Sequence, residues 1–269
     1  MLRTVFEKEK IEYFAALRYS DVKTVNERLL TRLGFEPKSV IVFLIPYYAG
    51  ETENLSRYAS SVDYHLVIRG ITDRIIIELR EKYPSGKFSG FGDHSPIAEQ
   101  HAALIGGLGI AGDNGLLINE KYGSYVFIGD IITDVPPELI GAVDGGDIRK
   151  CSHCGACRLA CPTGILRGEN ADCLSFITQK KGELSRVERE LMRSENTAWG
   201  CDKCQTVCPY NYSAILTPIP DFYEKRITLL STDAVNAMTD EEFFRRAFSW
   251  RGRAVVLRNL SVLDTTENE

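Results

Sequence analysis

The sequence predicts an α+β protein with three consecutive parts. Helical and strand-like hydrophobic patterns alternate over residues 1–145 of the 269-residue chain, which predicts a mixed α/β domain. All eight cysteines lie within residues 151–208, which predicts a small separate module over residues 146–215. The remaining residues, 216–269, have a helical pattern from about residue 232 onward and are expected to form a helical tail.

The first domain is expected to begin with an amphipathic helix and then a buried strand over residues 40–45. Apolar residues at helical spacing over residues 64–83 predict a long helix that stops near Pro84. Ser95 followed by Pro96 predicts the start of the next helix, with serine as the N-cap and proline at the first helical position.

The same domain is expected to end in a strand over residues 123–133, which alternate and are rich in β-branched and aromatic residues. Before this strand, Gly107, Gly109 and Gly112 have the spacing of a dinucleotide-binding loop. A helix rather than a strand is predicted ahead of them, so the required context is missing. We therefore expect these glycines only to shape a loop.

The cysteines follow a regular spacing. The first four are separated by two, two and three residues and precede Pro162, a second run of three precedes Pro209, and one cysteine lies between the runs. This is the spacing of ferredoxins that bind two [4Fe-4S] clusters, in which the cysteine before proline binds the neighbouring cluster. Cluster one is assigned Cys151, Cys154, Cys157 and Cys208, and cluster two is assigned Cys161, Cys173, Cys201 and Cys204.

A disulfide framework and a pair of zinc sites are the two alternatives for these cysteines. Two Cys-x-x-Cys pairs also suit tetrahedral zinc. Disulfide-rich secreted chains are short and carry a signal peptide, whereas residues 1–10 have charges throughout and no apolar segment. The protein is therefore expected to be cytoplasmic.

The composition is that of a soluble globular protein without a general attraction to nucleic acid. Hydrophobic residues make up 44% of the chain, and no apolar run reaches membrane-spanning length. Because the formal net charge is -5, a polyanion would have to bind a local basic surface. Five arginines near the C-terminus could form one, although a solvated helix face is the favoured explanation for them: Arg245, Arg246, Arg251, Arg253 and Arg258.

Polar residues that could carry chemistry lie upstream of the cysteines. More than half of the chain precedes the clusters and is expected to hold whatever the electrons reduce. Asp93 and His94 lie in a loop ahead of a helix N-terminus, which favours anions, so position alone favours a simple electrostatic role for Asp93. The other candidates are Arg57, Glu99 and His101, while the histidines, His65 among them, have no metal-ligand spacing.

Several short motifs are spread over residues 38–260. They are Ser56-Arg57-Tyr58-Ala59, Asp63-Tyr64-His65, Asp93-His94-Ser95-Pro96-Ile97-Ala98-Glu99, Gly107-Leu108-Gly109, Gly123-Ser124-Tyr125, Gly200-Cys201-Asp202-Lys203-Cys204, Trp250-Arg251-Gly252 and Arg258-Asn259. Together with the complete cysteine set, these motifs resemble those of the epoxyqueuosine reductases, which are cobalamin-dependent enzymes of queuosine tRNA modification.

The resemblance implies a flavin-reductase-like α/β domain with a corrin bound between it and the cluster module. It also implies that an external low-potential donor, of the ferredoxin or flavodoxin type, passes electrons through both clusters to cobalt. Asp93 would donate the proton that lets the epoxide oxygen leave as water, and apolar surroundings would keep its carboxyl group protonated. The implied cofactor contacts are Ser56, Arg57, Asp93, Asn114 and Ser124.

The chain departs from the family pattern in features that concern tRNA. It ends shortly after Asn259, whereas many members continue into helical repeats that help to hold tRNA. Asp113 stands where the family usually has lysine, and Gln100 stands where a basic residue is common. Because missing positive charges weaken the attraction for a polyanion, we expect weaker tRNA binding than in those members.

The leading hypothesis is therefore a reductase that converts epoxyqueuosine to queuosine in tRNA. One alternative is a corrinoid iron-sulfur reductase that acts on a small molecule. Another is an electron-transfer protein whose first domain docks a partner. Binding of cobalamin and turnover of epoxyqueuosine would separate the three.

Overall fold

The computed structural model describes residues 2–264, which divide into two compact units. The first unit contains residues 2–47, 65–153 and 213–219, and the second contains residues 48–64, 154–212 and 220–264. Each unit is thus made of separate stretches of the chain, whereas the division into three consecutive domains remains a prediction. The last five residues of the predicted tail lie outside the described residues.

The first unit is built around an antiparallel sheet of four strands. Its elements are α1 (Leu2–Lys8), β1 (Phe14–Arg18), a 3-10 helix (Tyr19–Asp21), α2 (Glu27–Leu30), β2 (Ser39–Pro46), α3 (Tyr64–Lys82), β3 (Phe88–Gly92), α4 (Glu99–Ile105), β4 (Ile110–Ala111), β5 (Leu117–Ile118), β6 (Val126–Thr133) and α5 (Pro137–Ile140). The strand order is β1-β2-β6-β3, and β4 and β5 form a separate two-stranded ribbon.

Helices cover both faces of this sheet, so the inner strand β2 is buried throughout and apolar except for Ser39. Every residue of β2 is buried. On one face, α4 packs against β1, β2 and β6 in a core that also contains Phe91. On the other face, a Cβ atom at Gly90 would lie 2.1 Å from Thr72 Cγ2, and one at Gly92 would lie 2.4 Å from Ile68 Cγ2. Both glycines therefore let α3 approach β3 closely.

The structure confirms the predicted buried strand as β2, the long helix as α3 and the last strand as β6. The predicted N-cap at Ser95 is wrong, because α4 begins at Glu99 and Ala98 is its N-cap. Ser95 Oγ instead accepts the backbone N–H of Ile97 at 3.3 Å and donates to Asp130 Oδ1 at 3.1 Å. The hydroxyl group closes a turn before the helix and binds a buried carboxyl group.

The second unit consists of short helices and loops. Its elements are a 3-10 helix (Arg57–Ala59), α6 (Ala156–Leu159), a 3-10 helix (Ile165–Arg167), α7 (Leu174–Thr178), α8 (Arg186–Ser194), α9 (Lys203–Thr206), 3-10 helices at Pro209–Asn211 and Pro220–Phe222, α10 (Thr232–Ala237), α11 (Asp240–Phe244), a 3-10 helix (Ser249–Arg251) and α12 (Arg253–Asp264). The predicted helical tail is thus found as three helices, α10 to α12.

The core of the second unit combines residues that are far apart in sequence. Trp199 and Phe248 are fully buried and pack with Leu55 and Ala59, and the tail contributes Val256 among other residues. Residues 48–64 therefore fold with the cysteine-rich region, whereas the sequence-based division placed them in the first domain.

Three of the five C-terminal arginines hold backbone carbonyl groups. Arg246 donates to the carbonyl oxygens of Ser61 and Lys225, Arg253 donates to those of Val235 and Met238, and Arg258 donates to those of Lys180 and Gly182. These side chains stabilise the tail. Among residues 2–264, no helix has the length and apolar character needed to cross a membrane.

Candidate functional site

Each cysteine run includes one short helix of the second unit, and these two helices pack against each other. Gly155, with φ of 78°, provides the left-handed turn before α6, which carries Cys157. Helix α9, which carries Cys204, packs against α6. All eight cysteines are described and none of them is joined to another by a disulfide bond, so no disulfide framework links them. Seven of them lie in the second unit, and Cys151 lies in the first.

The surroundings of Cys161 fit a thiolate ligand. Burial alone would raise the pKa of this thiol. Hydrogen bonds from the backbone N–H groups of Leu166, Thr163 and Gly164 and from the Thr163 hydroxyl group outweigh burial and lower the pKa. N–H groups that point at cysteine sulfur stabilise negative charge and tune the potential of iron-sulfur clusters.

Cys201 has the opposite character. Burial, with a smaller contribution from the nearby Cys173, raises the pKa of its thiol to about 11. Without a metal, such a thiol keeps its proton at neutral pH. Metal ligation would displace this proton, since the thiolate is the ligand. The interaction also brings together two of the four thiols assigned to cluster two, although the ligand assignment itself remains a prediction.

Ser56 and Arg57 belong to a buried polar network in the second unit. The Arg57 side chain pairs with Asp202 at 3.1 Å and with Glu51, and it donates to Thr206 Oγ1 at 3.1 Å. Its backbone N–H donates to Asp202 Oδ2 at 2.7 Å, and Ser56 Oγ donates to Asp202 Oδ1. Asp202 directly follows Cys201, so this network fixes the backbone beside a predicted cluster ligand. The cofactor contacts expected of Ser56 and Arg57 remain predictions.

Asp93 directly follows β3 in the first unit and has a φ of 64°, which is uncommon for a residue other than glycine. Its Oδ2 lies 3.1 Å from His65 Nε2 on α3. The Asp93 side chain is 57% exposed, so the apolar surroundings expected for it are not present in this loop conformation. A cleft of about 280 Å³ adjoins the loop and is lined by His65, Arg69 and His94 among others.

A desolvated acid does occur near Asp93, at Glu99. Burial, together with the negative charge of Asp93, raises the pKa of Glu99 to about 7. The backbone N–H of Asp93 donates to the Glu99 carboxylate and acts in the opposite direction. Asp130, in the middle of β6, is fully buried, and burial together with Glu99 raises its pKa well above the usual value.

Asn114 lies in the turn between β4 and β5, and its Oδ1 accepts the backbone N–H of Leu116. Its Nδ2 is buried and has no hydrogen-bond partner among the described residues, which is what a side chain awaiting a ligand acceptor would show. Gln100 Nε2 donates to the Gly115 carbonyl oxygen at 2.7 Å, so the residue that replaces a basic one supports this turn. Ser124 is buried just before β6. The turn therefore fits a bound cofactor.

Cys151 lies beside the same turn. Its backbone N–H donates to the Ala111 carbonyl oxygen at 2.9 Å. The thiol, the Asp113 carboxylate and the His153 ring lie within 4.8 Å of one another, and His153 Nδ1 is 2.7 Å from Asp113 Oδ1. Asp113, which replaces the family's usual lysine, is thus held by a hydrogen bond with His153.

The comparisons with known proteins agree with this arrangement. Residues 150–211 match the family model described as a 4Fe-4S double cluster binding domain, which includes all eight cysteines. An epoxyqueuosine reductase of Listeria monocytogenes is 30% identical over 96% of this chain and 72% of its own length, and one of Lactococcus garvieae is 30% identical over 88% and 72%. The chain belongs to the epoxyqueuosine reductase family. The predicted enzyme class, an oxidoreductase, and the predicted cofactors, two [4Fe-4S] clusters and cobalamin, are thereby confirmed.

Solved structures of epoxyqueuosine reductases share the fold. That of Streptococcus thermophilus has a TM-score of 0.78 at 23% identity and covers 97% of this chain and 79% of its own. A structure solved with an epoxyqueuosine-modified tRNA stem loop has a TM-score of 0.74 at 24% identity, with coverage of 97% and 80%. The predicted α+β class is confirmed.

Two residues of the Asp93 site were missed or set aside by sequence reasoning. His65 was set aside for lack of ligand spacing, but α3 places it against Asp93. Asp130 was read only as part of a strand. The available signal was its charge, because it is the one ionisable residue of β6, whose other residues are mostly apolar.

Proposed function

We propose that this protein is an epoxyqueuosine reductase that removes the epoxide oxygen of epoxyqueuosine in tRNA as water, with two electrons and two protons consumed. The observation that supports this most is the conjunction of the double-cluster match over residues 150–211 with 30% identity to a named reductase over 96% of the chain. Motif spacing alone would fit any two-cluster carrier.

The cofactors would be held by residues already described. The eight cysteines would bind the two clusters, and Asn114 Nδ2 is the unsatisfied donor that best fits a contact with cobalamin. When bound, cobalamin supplies the reducing chemistry at the epoxide, and the clusters supply its electrons. The residues of the chain supply binding, orientation and protons. A low-potential ferredoxin or flavodoxin is the proposed donor.

Asp93 is the proposed general acid. Departure of an epoxide oxygen as water requires a proton donor within hydrogen-bond reach of that oxygen. The Asp93 carboxyl group is exposed on a loop after β3, so it is accessible to a substrate, and its neighbour His65 can return a proton to Oδ2. In a Bacillus subtilis epoxyqueuosine reductase the catalytic loop has been seen swung out of the active site. An exposed Asp93 agrees with a loop of that kind.

The substrate is proposed to be tRNA rather than the free nucleoside. One relative has been solved with a modified tRNA stem loop, which supports a polynucleotide substrate. Comparable turnover of the free nucleoside would instead favour the small-molecule alternative.

An anaerobic assay with cobalamin, a chemical reductant and epoxyqueuosine-containing tRNA tests the proposal. Wild-type protein should produce queuosine, and Asp93→Asn should lose at least about 100-fold in turnover, the usual contribution of a general acid. Iron and cobalamin content should be unchanged in the variant. Asp233→Asn, at an exposed position of α10, is the control. Undiminished turnover of Asp93→Asn would refute its role, and no queuosine from the wild type would refute the function.

A further inference from the structure

A partly buried acid, Glu99, and a fully buried acid, Asp130, lie behind the Asp93 loop. Asp130 is on the face of β6 that carries Ile128 and Ile132, both of which pack in the core beneath α4. Glu99 is the first residue of α4. Burial penalises the charged forms of both acids, and acids perturbed in this way cluster at functional sites.

The two acids hold the loop between β3 and α4, residues 93–98, at two points. At its first residue, the backbone N–H of Asp93 donates to the Glu99 carboxylate. Two residues later, Ser95 Oγ donates to Asp130 Oδ1 at 3.1 Å and accepts the N–H of Ile97. Glu99 Oε2 and Asp130 Oδ2 are buried without a hydrogen-bond partner among the described residues. The left-handed backbone of Asp93 is strained for an aspartate, and these bonds hold it.

The charges around Glu99 are few. The charged neighbours of Glu99 are Asp93 in the loop and Asp130 on β6. His65 of α3 contacts Asp93. On α4 itself, the buried Nδ1 of His101 has no partner among the described residues. The strands β1 and β2 contribute apolar side chains to the core under α4, among them Leu17, Val40, Val42 and Leu44.

These two acids differ in where the proton is held. Burial raises the pKa of Asp130 well above its usual value and that of Glu99 to about 7. Because Asp130 is fully buried, whereas Glu99 is partly exposed and accepts the Asp93 N–H, the negative charge of the pair is better stabilised on Glu99. Coulombic repulsion between two carboxylates is mutual, so a charged Glu99 disfavours a charged Asp93.

We propose that Glu99 is a positioning residue for the general acid: its carboxylate holds the Asp93 loop through the backbone N–H, and its charge keeps the proton on the Asp93 carboxyl group. Asp130 serves as the neutral partner that anchors Ser95. The assignment rests on the proposed function of Asp93, but the electrostatic coupling can be measured without turnover.

The decisive variant is Glu99→Gln, which keeps an acceptor oxygen for the Asp93 N–H and removes the charge. The high-pH limb of the kcat/KM profile, where the acid loses its proton, should move down by about one pH unit, so that activity falls about tenfold at high pH and little at low pH. Asp130→Asn imitates the protonated acid and should leave the profile in place. A loss for Glu99→Gln that is equal at every pH, or an unshifted profile, would overturn the proposal.

A second readout does not depend on activity. Infrared spectra of protein labelled with ¹³C in the aspartate carboxyl groups, with Asp93→Asn subtracted, give the titration of Asp93. Glu99→Gln should lower its midpoint by about one unit. An unchanged midpoint would overturn the inference even if the wild type reduces epoxyqueuosine. A lowered midpoint in a protein that does not turn over epoxyqueuosine would refute only the proposed function.

Discussion

A buried general acid would both reach the substrate and have a raised pKa, but here Asp93 and Glu99 each have one of these two properties. Asp93 is exposed and able to reach a substrate, whereas Glu99 is desolvated and has a raised pKa. An exposed acid cannot depend on burial to hold its proton. A neighbouring charge on the sheet-packed helix α4 can act on it instead.

The raised pKa of Glu99 has a consequence for stability. The folded protein binds this proton more tightly than the unfolded chain, so the stabilisation is present below the ordinary value of 4.5 and is lost as pH rises to about 7. Glu99→Gln should therefore become more stable relative to wild type as pH rises, by about 2 kcal/mol between pH 5 and pH 8. Urea unfolding of the anaerobic protein at both pH values measures this.

Glu36→Gln, at an exposed position, controls for the general effect of removing one negative charge. If the stability difference between Glu99→Gln and wild type were the same at both pH values, the carboxyl group would not be desolvated as described.

Residue by residue, sequence reasoning identified groups with a fixed chemical signature and missed those that depend on packing. The cysteines were predicted because iron needs thiolates at set spacing. The network of Arg57 with Asp202 joins residues 145 positions apart, and no local pattern indicates it. The expectation that Asp93 is desolvated failed because exposure is set by the loop's conformation, which spacing does not encode.

At the scale of elements, the Asn259 side chain helps to fasten helix α12 to the cysteine-rich region. Asn259 is fully buried, and its Nδ2 donates to the carbonyl oxygens of Thr178 at 2.6 Å and Ala198 at 2.8 Å. Thr178 ends α7, the helix that follows Cys173, and Ala198 lies shortly before Cys201. The backbone that follows Cys173 and the backbone that precedes Cys201, two predicted ligands, are therefore tied to the tail.

Asn259→Ala should lower the free energy of unfolding by about 2 to 4 kcal/mol, because two buried carbonyl groups lose their donor. It should also speed the loss of visible iron-sulfur absorbance in air. Asn236→Ala, on the exposed side of α10, is the matched control and should have little effect. Normal stability of Asn259→Ala would mean that other groups or water replace its amide.

Helices and strands whose apolar residues recur at a regular spacing were predictable from the sequence, whereas the residues at which they begin and end were less predictable. The apolar spacing of α3 and the alternation in β6 were sufficient. The start of α4 was misplaced because Ser95 and Pro96 satisfy a local capping pattern, while the buried carboxyl group of Asp130 recruits the serine hydroxyl instead. Tertiary contacts decide between such alternatives.

At the scale of the whole molecule, the purified anaerobic protein should contain about eight iron atoms per chain, two clusters of four. Cys173→Ala removes one predicted ligand of cluster two and should reduce this to about four, measured by iron analysis together with electron paramagnetic resonance of the reduced protein. Ser175→Ala, on the adjoining helix, is the control. Full iron content in Cys173→Ala would contradict the ligand assignment.

Fold class and family were within reach of the sequence because cysteine spacing and short motifs are local features. The organisation of the chain was not, since residues 48–64 join the second unit only through their packing with distant residues such as Trp199. A domain boundary that is predicted from linkers and composition cannot reveal that a segment within one domain packs in the core of another.

The contribution of residues 48–64 to the second core limits how the cluster-binding region could be transferred to another protein. A cassette cut at residues 150–211 would contain every thiol yet leave Trp199 without Leu55 and Ala59, and without the helices that follow it. Grafting the cassette onto another enzyme would thus transplant ligands without the hydrophobic support that holds them. A gene fusion that is to fold must therefore include residues 48–64 and the C-terminal helices as well as the cysteine-rich region.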